Sequence, residues 1–193
     1  ASYSPDYKTI ATGSYSNKMN LWNAESGEKQ HSIVTGKKMI YSLDYSPDGK
    51  YIAAGLYDNK VVVIDIEKDT IIASMPNRNL HVYSVRYSPD GSKIAWASDG
   101  TTWIYVMETI TYQKTHKFDT KYGTPTHLDF NATGRYLLIS GEEIFPQVYD
   151  FEKEKLIKFP VVHSRGLKCG IFSDDGKYMF TAGYDKTIVQ WDF

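Results

Sequence analysis

Near one end of the chain stand a histidine, a hydroxyl, a carboxylate and an indole: His163, Thr181, Asp185 and Trp191. A His–Asp pair beside a hydroxyl is the residue set of a nucleophilic triad, in which the imidazole takes the hydroxyl proton and the carboxylate orients the ring. The rest of the chain gives that chemistry no support: there is no nucleophile elbow, no glycine-rich phosphate loop and no paired His–Glu motif. His31, His81, His116, His127 and His163 show no metal-ligand spacing, and the lone Cys169 excludes a zinc-finger pattern. The sequence therefore assigns no catalytic residue, no metal and no cofactor. A second set suits binding instead. Tyr15, Tyr57 and Tyr184 each directly precede a polar turn residue, Ser16, Asp58 or Asp185, and Lys37, Lys38, Arg78, Asn79, Lys121 and Arg165 stand in neighbouring loops. Exposed Tyr and Arg together are the usual composition of a protein-binding hot spot. The alternative is that these rings only cover their own strands, since tyrosine also suits β-structure.

Bulk composition narrows the class. The 193 residues can bury a substantial core, and 15% aromatic content, with 16 tyrosines, argues against disorder. A net charge of -1 argues against a broad nucleic-acid or membrane footprint, which needs clustered positive charge. One cysteine allows no intrachain disulfide, so a reducing compartment, cytoplasm or nucleus, is expected. The longest apolar run, near Val61–Ile64, is strand-sized, and the chain opens on Ala1 in mid-pattern with no targeting segment.

The elements that must position these residues are written as a repeat. YSPDGKYIAAG begins at Tyr45, YSPDGSKIAWA at Tyr87 and YSPDYKTIATG at Tyr3. With Tyr7, Gly49, Gly91, Gly134 and Gly176 as turn anchors, the spacings are 42, 42, 43 and 42 residues, a period that signals a repeat architecture. Proline presets φ for the turn and the closing glycine tolerates positive φ, so SPDG makes a tight hairpin. Tyr3, Tyr45, Tyr87, Phe130 and Phe172, each four residues before an anchor, read as core aromatics. The run VVVI is continuous rather than alternating, so both faces of its strand are buried. Four short antiparallel strands per unit, each unit packed between neighbours, make the blade of a β-propeller. The fold is therefore all-β. Residues 1–193 are read as one propeller domain with blades at about 1–35, 36–76, 77–118, 119–160 and 161–193.

Fifteen residues past the anchors stand Trp22, Ile64, Tyr149 and Trp191; the third unit, one residue short in its turn, offers Tyr105. Asp44, Arg86 and Asp129 share the offset five before the anchor, so their charges either pair across blades near the axis or face channel water. With WD intact at Trp191-Asp192, and Asp65 and Asp150 keeping half of it, the chain resembles the WD-repeat (WD40) propellers throughout. Residues 1–110, through GEKQHSIVTGKKMIYSLDYSPDGKYIAAG, are similar to the scaffold subunits shared by the superkiller RNA-decay and polymerase-associated factor complexes. Residues 120–193 are similar to the last blades of splicing-associated ubiquitin ligases.

The resemblance implies that His163, Thr181, Asp185 and Trp191 form a structural hydrogen-bond network, absent from the other blades where Gly36, Arg78 and Lys121 replace the histidine. It also implies rings that close by lending an outer strand. Here the first blade keeps only ASYS of its innermost strand and the last stops after its third strand. Five blades, two of them incomplete, of a seven-bladed ring are expected. The implied function is a non-catalytic scaffold or adaptor of an intracellular multiprotein complex, in RNA decay or transcription, with other proteins as partners. The alternatives are a substrate-recognition propeller of a ubiquitin ligase or splicing complex, and a propeller enzyme with a site in its channel.

Overall fold

Each repeat begins with a turn that closes on itself. In the computed structural model, which describes residues 1–36, 39–76 and 81–193, the Ser46 hydroxyl donates to Asp48 (2.6 Å) and accepts the Tyr51 N–H (2.9 Å), while the Asp48 carboxylate accepts the Lys50 N–H (3.1 Å). The same Ser–Asp exchange recurs at Ser4, Ser88 and Ser173. In the fourth repeat Asn131 and Thr133 take the two roles. Every anchor lies in the left-handed region, with φ of 72°, 71°, 70° and 70° at the four glycines and 59° at Tyr7. Glycine takes that conformation freely and tyrosine only at a cost. Pro5 packs against Gly49, Pro47 against Gly91 and Pro89 against Gly134, so the turns stack along one end of the molecule.

These turns organise five antiparallel sheets in sequence order. The first holds β1 (Ser2–Tyr3), β2 (Thr9–Gly13), β3 (Lys18–Asn23) and β4 (Lys29–Val34). The second holds β5 (Ile40–Tyr45), β6 (Tyr51–Leu56), β7 (Lys60–Asp65) and β8 (Thr70–Pro76). The third is β9 (Val82–Tyr87), β10 (Lys93–Ser98), β11 (Trp103–Glu108) and β12 (Lys114–Asp119). The fourth is β13 (Pro125–Phe130), β14 (Tyr136–Gly141), β15 (Gln147–Asp150) and β16 (Lys155–Lys158). The fifth has three strands, β17 (Leu167–Phe172), β18 (Tyr178–Gly183) and β19 (Ile188–Asp192). No helix occurs among the described residues, and no strand pairing there joins the fifth sheet to the first. The first strands lie side by side, β5 against β9, β9 against β13 and β13 against β17. These are blades of a β-propeller, with each inner strand ending just before its anchor turn as the repeat requires.

The core is layered between successive sheets. Met19 and Leu21 of the first sheet meet Ile52, Ala54 and Leu56 of the second, whereas Ala53, Val61 and Val63 turn to Val82, Val85 and Trp96 of the third. Both faces of β6 and β7 are thus covered, which is why their sequences are continuously apolar. The outer strands β4, β8, β12 and β16 alternate or are largely exposed.

The third repeat departs from the sequence expectation. Ile52 pairs with Ile64, Leu137 with Tyr149 and Met179 with Trp191, but Ile94 pairs with Met107. The turn before β11 is longer by one residue, not shorter. Buried Met107 therefore takes the tryptophan position. Tyr105 pairs instead with Trp96 and stacks on its ring, 5.5 Å between centroids. The extra residue falls between Ala97 and Ile104, where six residues stand in place of the five between Gly55 and Val61.

Close approach of sheets makes one glycine testable. A Cβ on Gly55 would lie 2.6 Å from Val82 Cγ1 and 2.9 Å from the Val82 carbonyl oxygen, and the latter is backbone that cannot turn aside. Gly55→Ala is expected to lower unfolding stability by about 1–3 kcal/mol through overpacking, read by urea denaturation; unchanged stability would mean the second and third sheets are not packed this closely.

Candidate functional site

At the end of the molecule opposite the stacked turns, the second to fifth blades each carry two side chains to the rim around the inner strands. The first comes from a bulge. Pairing of the inner strand with its neighbour shifts register between Ile40 and Ser42, beside Tyr83, between Pro125 and His127, and between Leu167 and Cys169. The extra residue is Tyr41, Tyr83, Thr126 or Lys168, eight before each anchor, and a bulge re-aims the side chain it carries. The second comes from the turn after the second strand. The N–H of Tyr57, Asp99, Glu142 and Tyr184, eight past each anchor, donates to the carbonyl of Met39, His81, Thr124 and Gly166 at 2.8–3.1 Å. That bond ties the turn to the segment entering the inner strand, so both offsets reach the same rim.

All of these residues but Tyr57 line a depression of about 490 Å³, with Tyr41, Tyr83 and Tyr184 facing Asp99, Glu142 and Lys168. Tyr41 meets Tyr83 edge-on at 5.4 Å and stacks on Tyr57 at 5.9 Å, and Tyr57 stacks in turn on His81 at 3.8 Å. The ammonium of Lys168 lies 5.7 Å from the Tyr184 ring centroid. Desolvation, and after it the nearby carboxylates, raise the Tyr83 hydroxyl above its ordinary range. Desolvation and the neighbouring Tyr57, Tyr15 and Asp99 do the same to Tyr41.

Of the residues expected at a binding rim, Tyr57 lies half-buried in the stack beside this depression and Tyr184 lines it, while Tyr15 stands exposed on the first sheet's turn. Lys121 and Arg165 are exposed on the loops entering β13 and β17. Lys37, Lys38, Arg78 and Asn79 lie outside the described residues. Asp99 and Glu142 hold the same offset after the anchor as Tyr57 and Tyr184, in the third and fourth repeats, and are the rim residues that tyrosine alone does not reveal. Residue type hid them, not spacing.

The second constellation is closed to chemistry. His163 Nδ1 meets the Asp185 carboxylate at 3.1 and 3.2 Å, His163 Nε2 meets Thr181 Oγ1 at 2.8 Å, and the Trp191 indole N–H donates to that hydroxyl at 2.9 Å. These partners fix the tautomer: Nδ1–H donates to Asp185 and the Thr181 hydroxyl donates to Nε2. His163 and Thr181 are each only 1% exposed, so no substrate can approach the hydroxyl. Burial would raise the Asp185 carboxyl, but hydrogen bonds from the Thr187 hydroxyl, the Ser164 and Thr187 N–H groups and His163 outweigh it and hold it far below the ordinary carboxylate range. Gly183 is required here, since a Cβ would lie 2.7 Å from both His163 Nδ1 and Asp185 Oδ1. Half of the arrangement recurs in the first blade, where Trp22 donates to Thr12 at 2.7 Å.

Charges at the axis do not pair as sign alternation suggested. Asp44 accepts the Tyr87 N–H (2.8 Å) and Asp129 the Phe172 N–H (2.7 Å), each from the next sheet. Arg86 enters none of the ion pairs formed among the described residues; it donates to the Val85 carbonyl and to His127 Nε2. Desolvation, then the Arg86 charge, lower His127 to about 4. Desolvation raises Asp129 to about 6 against the pull of its N–H partner and Arg86. No cluster of three or more His, Cys, Asp or Glu fit to hold a metal occurs among the described residues, and no helix there is long and apolar enough to cross a membrane.

Two measurements check these assignments. His163→Ala leaves Thr181 and Asp185 without their shared partner and should cost about 1–3 kcal/mol in chemical denaturation; full stability would remove the structural role. The raised Asp129 pKa means the folded state holds a proton that the unfolded chain has released between pH 4 and 6. Stability from this group is therefore greatest below pH 4 and falls as pH rises through about 6. Asp129→Asn, which still accepts the Phe172 N–H, should abolish that decline and gain about 2 kcal/mol relative to the parent at pH 7.5. Parallel pH profiles for the two proteins would place the titration elsewhere.

Comparison with protein families agrees with the geometry. Residues 1–90 match the model of the anaphase-promoting complex subunit 4 WD40 domain, and residues 154–192 match that of the WD domain, G-beta repeat. No curated protein matches the chain. The first match spans the opening blades and the second spans the blade that holds His163, Thr181, Asp185 and Trp191. Five antiparallel blades and both matches support the same family for this chain, the WD-repeat proteins.

Proposed function

We propose that the chain is a non-catalytic interaction platform, a scaffold or adaptor within an intracellular multiprotein complex. WD40 domains generally mediate protein–protein interaction and scaffolding. The observation that carries the reading here is the tyrosine-lined rim: four bulges and three turns converge on one depression, with Tyr57 stacked beside it, and its rings stay accessible, Tyr41 41% and Tyr184 54% exposed. Aromatic side chains on a rigid frame bind at low entropic cost. The channel offers little to catalysis by comparison, since Asp44, Asp129 and His127 are each engaged by the scaffold. The model matched by residues 1–90 is named for a subunit of a complex, which favours a place within an assembly. Neither match speaks for RNA decay, transcription or splicing, or for substrate recognition in a ubiquitin ligase. The lone cysteine, Cys169, is free, which suits the cytoplasm or nucleus.

The test is affinity purification of the tagged full chain followed by mass spectrometry, comparing the parent with Tyr57→Ala/Tyr184→Ala. Each lost ring should weaken capture by roughly 1 kcal/mol or more while the melting temperature of the double variant stays within a few degrees of the parent. An identical partner set from a folded double variant would move the interface off this rim.

A further inference from the structure

Resting on that reading, we infer that the rim depression takes a cationic side chain, a lysine or arginine presented by a basic peptide segment of the partner. The repeat itself makes the case. Counting through the blades at the turn offset gives Tyr15, Tyr57, Asp99, Glu142 and Tyr184, three rings and two carboxylates with no cation. At the bulge offset stand Tyr41, Tyr83, Thr126 and Lys168. The scaffold fixes where these side chains point and leaves their identity free, since the bonds that hold both offsets run through backbone groups. Aromatic faces carry negative quadrupole charge, and carboxylates beside them add full charge, so a cation is the ligand to which both respond favourably.

Two features show that the mouth behaves in this way. The molecule lays one of its own ammonium groups, that of Lys168, against the Tyr184 face. The carboxylates also carry no paired cation: Glu142 is exposed and accepts the Thr124 N–H through one oxygen at 3.1 Å, Asp99 is hydrogen-bonded to the Tyr83 hydroxyl, and no ion pair among the described residues involves Asp99 or Glu142. A depression of about 500 Å³ on the opposite end differs in this respect. Its Asp48 and Asp90 are consumed by the hydroxyl and N–H groups of their own turns. Lys168 then acts as an internal competitor, holding part of the surface until a stronger cation arrives.

The probe is a set of short fluorescein-labelled peptides alternating Gly with Arg, Gly with Lys and Gly with Glu, titrated with the full chain by anisotropy at low salt. The basic peptides should bind and the acidic peptide should not. Asp99→Asn and Glu142→Gln, near-isosteric changes that keep a hydrogen-bond acceptor, should each weaken the basic peptides about three- to tenfold, and Tyr41→Ala should do the same. Lys168→Ala should tighten them about threefold. Melting curves of all four variants guard against loss of fold, and the two isosteric variants keep the test informative should Tyr41→Ala be unstable. Acidic peptides binding as tightly, or basic peptides indifferent to Asp99→Asn and Glu142→Gln, would overturn the inference. If basic peptides fail while Tyr57→Ala/Tyr184→Ala still strips partners from the tagged chain, the ligand class is wrong and the platform reading stands. If the partner set is also unchanged, both fall.

Discussion

The structure depends on how the inner edge of each sheet is satisfied. A strand at the edge of a sheet presents N–H groups that no ladder partner reaches, and an orphaned buried N–H is costly. The outer strands can leave theirs to water, but the inner strands are pressed together around the axis. Here the preceding sheet supplies side chains in place of a strand. The Ser42 hydroxyl accepts the Val85 N–H and Asp44 the Tyr87 N–H, Ser84 accepts the Leu128 N–H, and Asp129 accepts the Phe172 N–H. The acceptors stand two residues apart in β5, Ser42 and Asp44, while β9 keeps the first as Ser84 and β13 the second as Asp129, and the distance such a side chain spans sets the spacing between blades. The apolar layers between sheets then fill whatever gap that spacing leaves.

Arg86 is the informative exception. It occupies the position held by Asp44 and Asp129 but can only donate, so it cannot accept an N–H from the next strand. It turns to the Val85 carbonyl and to His127, whose imidazole must be neutral to accept. Burial first, and after it the Arg86 charge, keep that imidazole uncharged and lower His127 to about 4. One substitution in an acceptor series has thus propagated into the ionisation of a second residue 41 positions away.

What could be read in the sequence was what each repeat decides locally. SPDG specifies its own turn through Ser and Asp, the glycine's positive φ fixes the anchor, and the aromatic four residues earlier marks the end of the inner strand; none of these depends on a neighbour. The network of His163, Thr181, Asp185 and Trp191 was also legible, because one blade contains it entirely. Features lying between repeats were not. The roles of Asp44 and Asp129 depend on backbone groups 43 residues further on, so charge alternation was a misleading guide. Bulges at Tyr41, Tyr83, Thr126 and Lys168 leave no residue signature, since their side chains have nothing in common. The added turn residue before β11 carries no signature of its own, and the aromatic Tyr105, which stacks on Trp96, lies near the position that buried Met107 takes.

The division of labour between the two ends of the molecule follows from the same constraint. At the SPDG end and along the axis, polar groups are consumed by turns and by strand edges, so residue types there are dictated by stability. The same is true of Thr181, which has the partners of a triad hydroxyl but accepts an indole N–H and lies under a closed surface. A nucleophile needs an open approach and a lone pair to spend, and the scaffold has taken both. At the other end the bonds that tie the rim positions run from backbone N–H to backbone carbonyl, between Tyr57 and Met39 or Glu142 and Thr124, and hold whatever the side chain is; Glu142 adds a bond from the Thr124 N–H to its carboxylate. Side chains there can change from tyrosine to aspartate to glutamate around the arc without loss of fold. That freedom is what lets one end of a repetitive frame become specific.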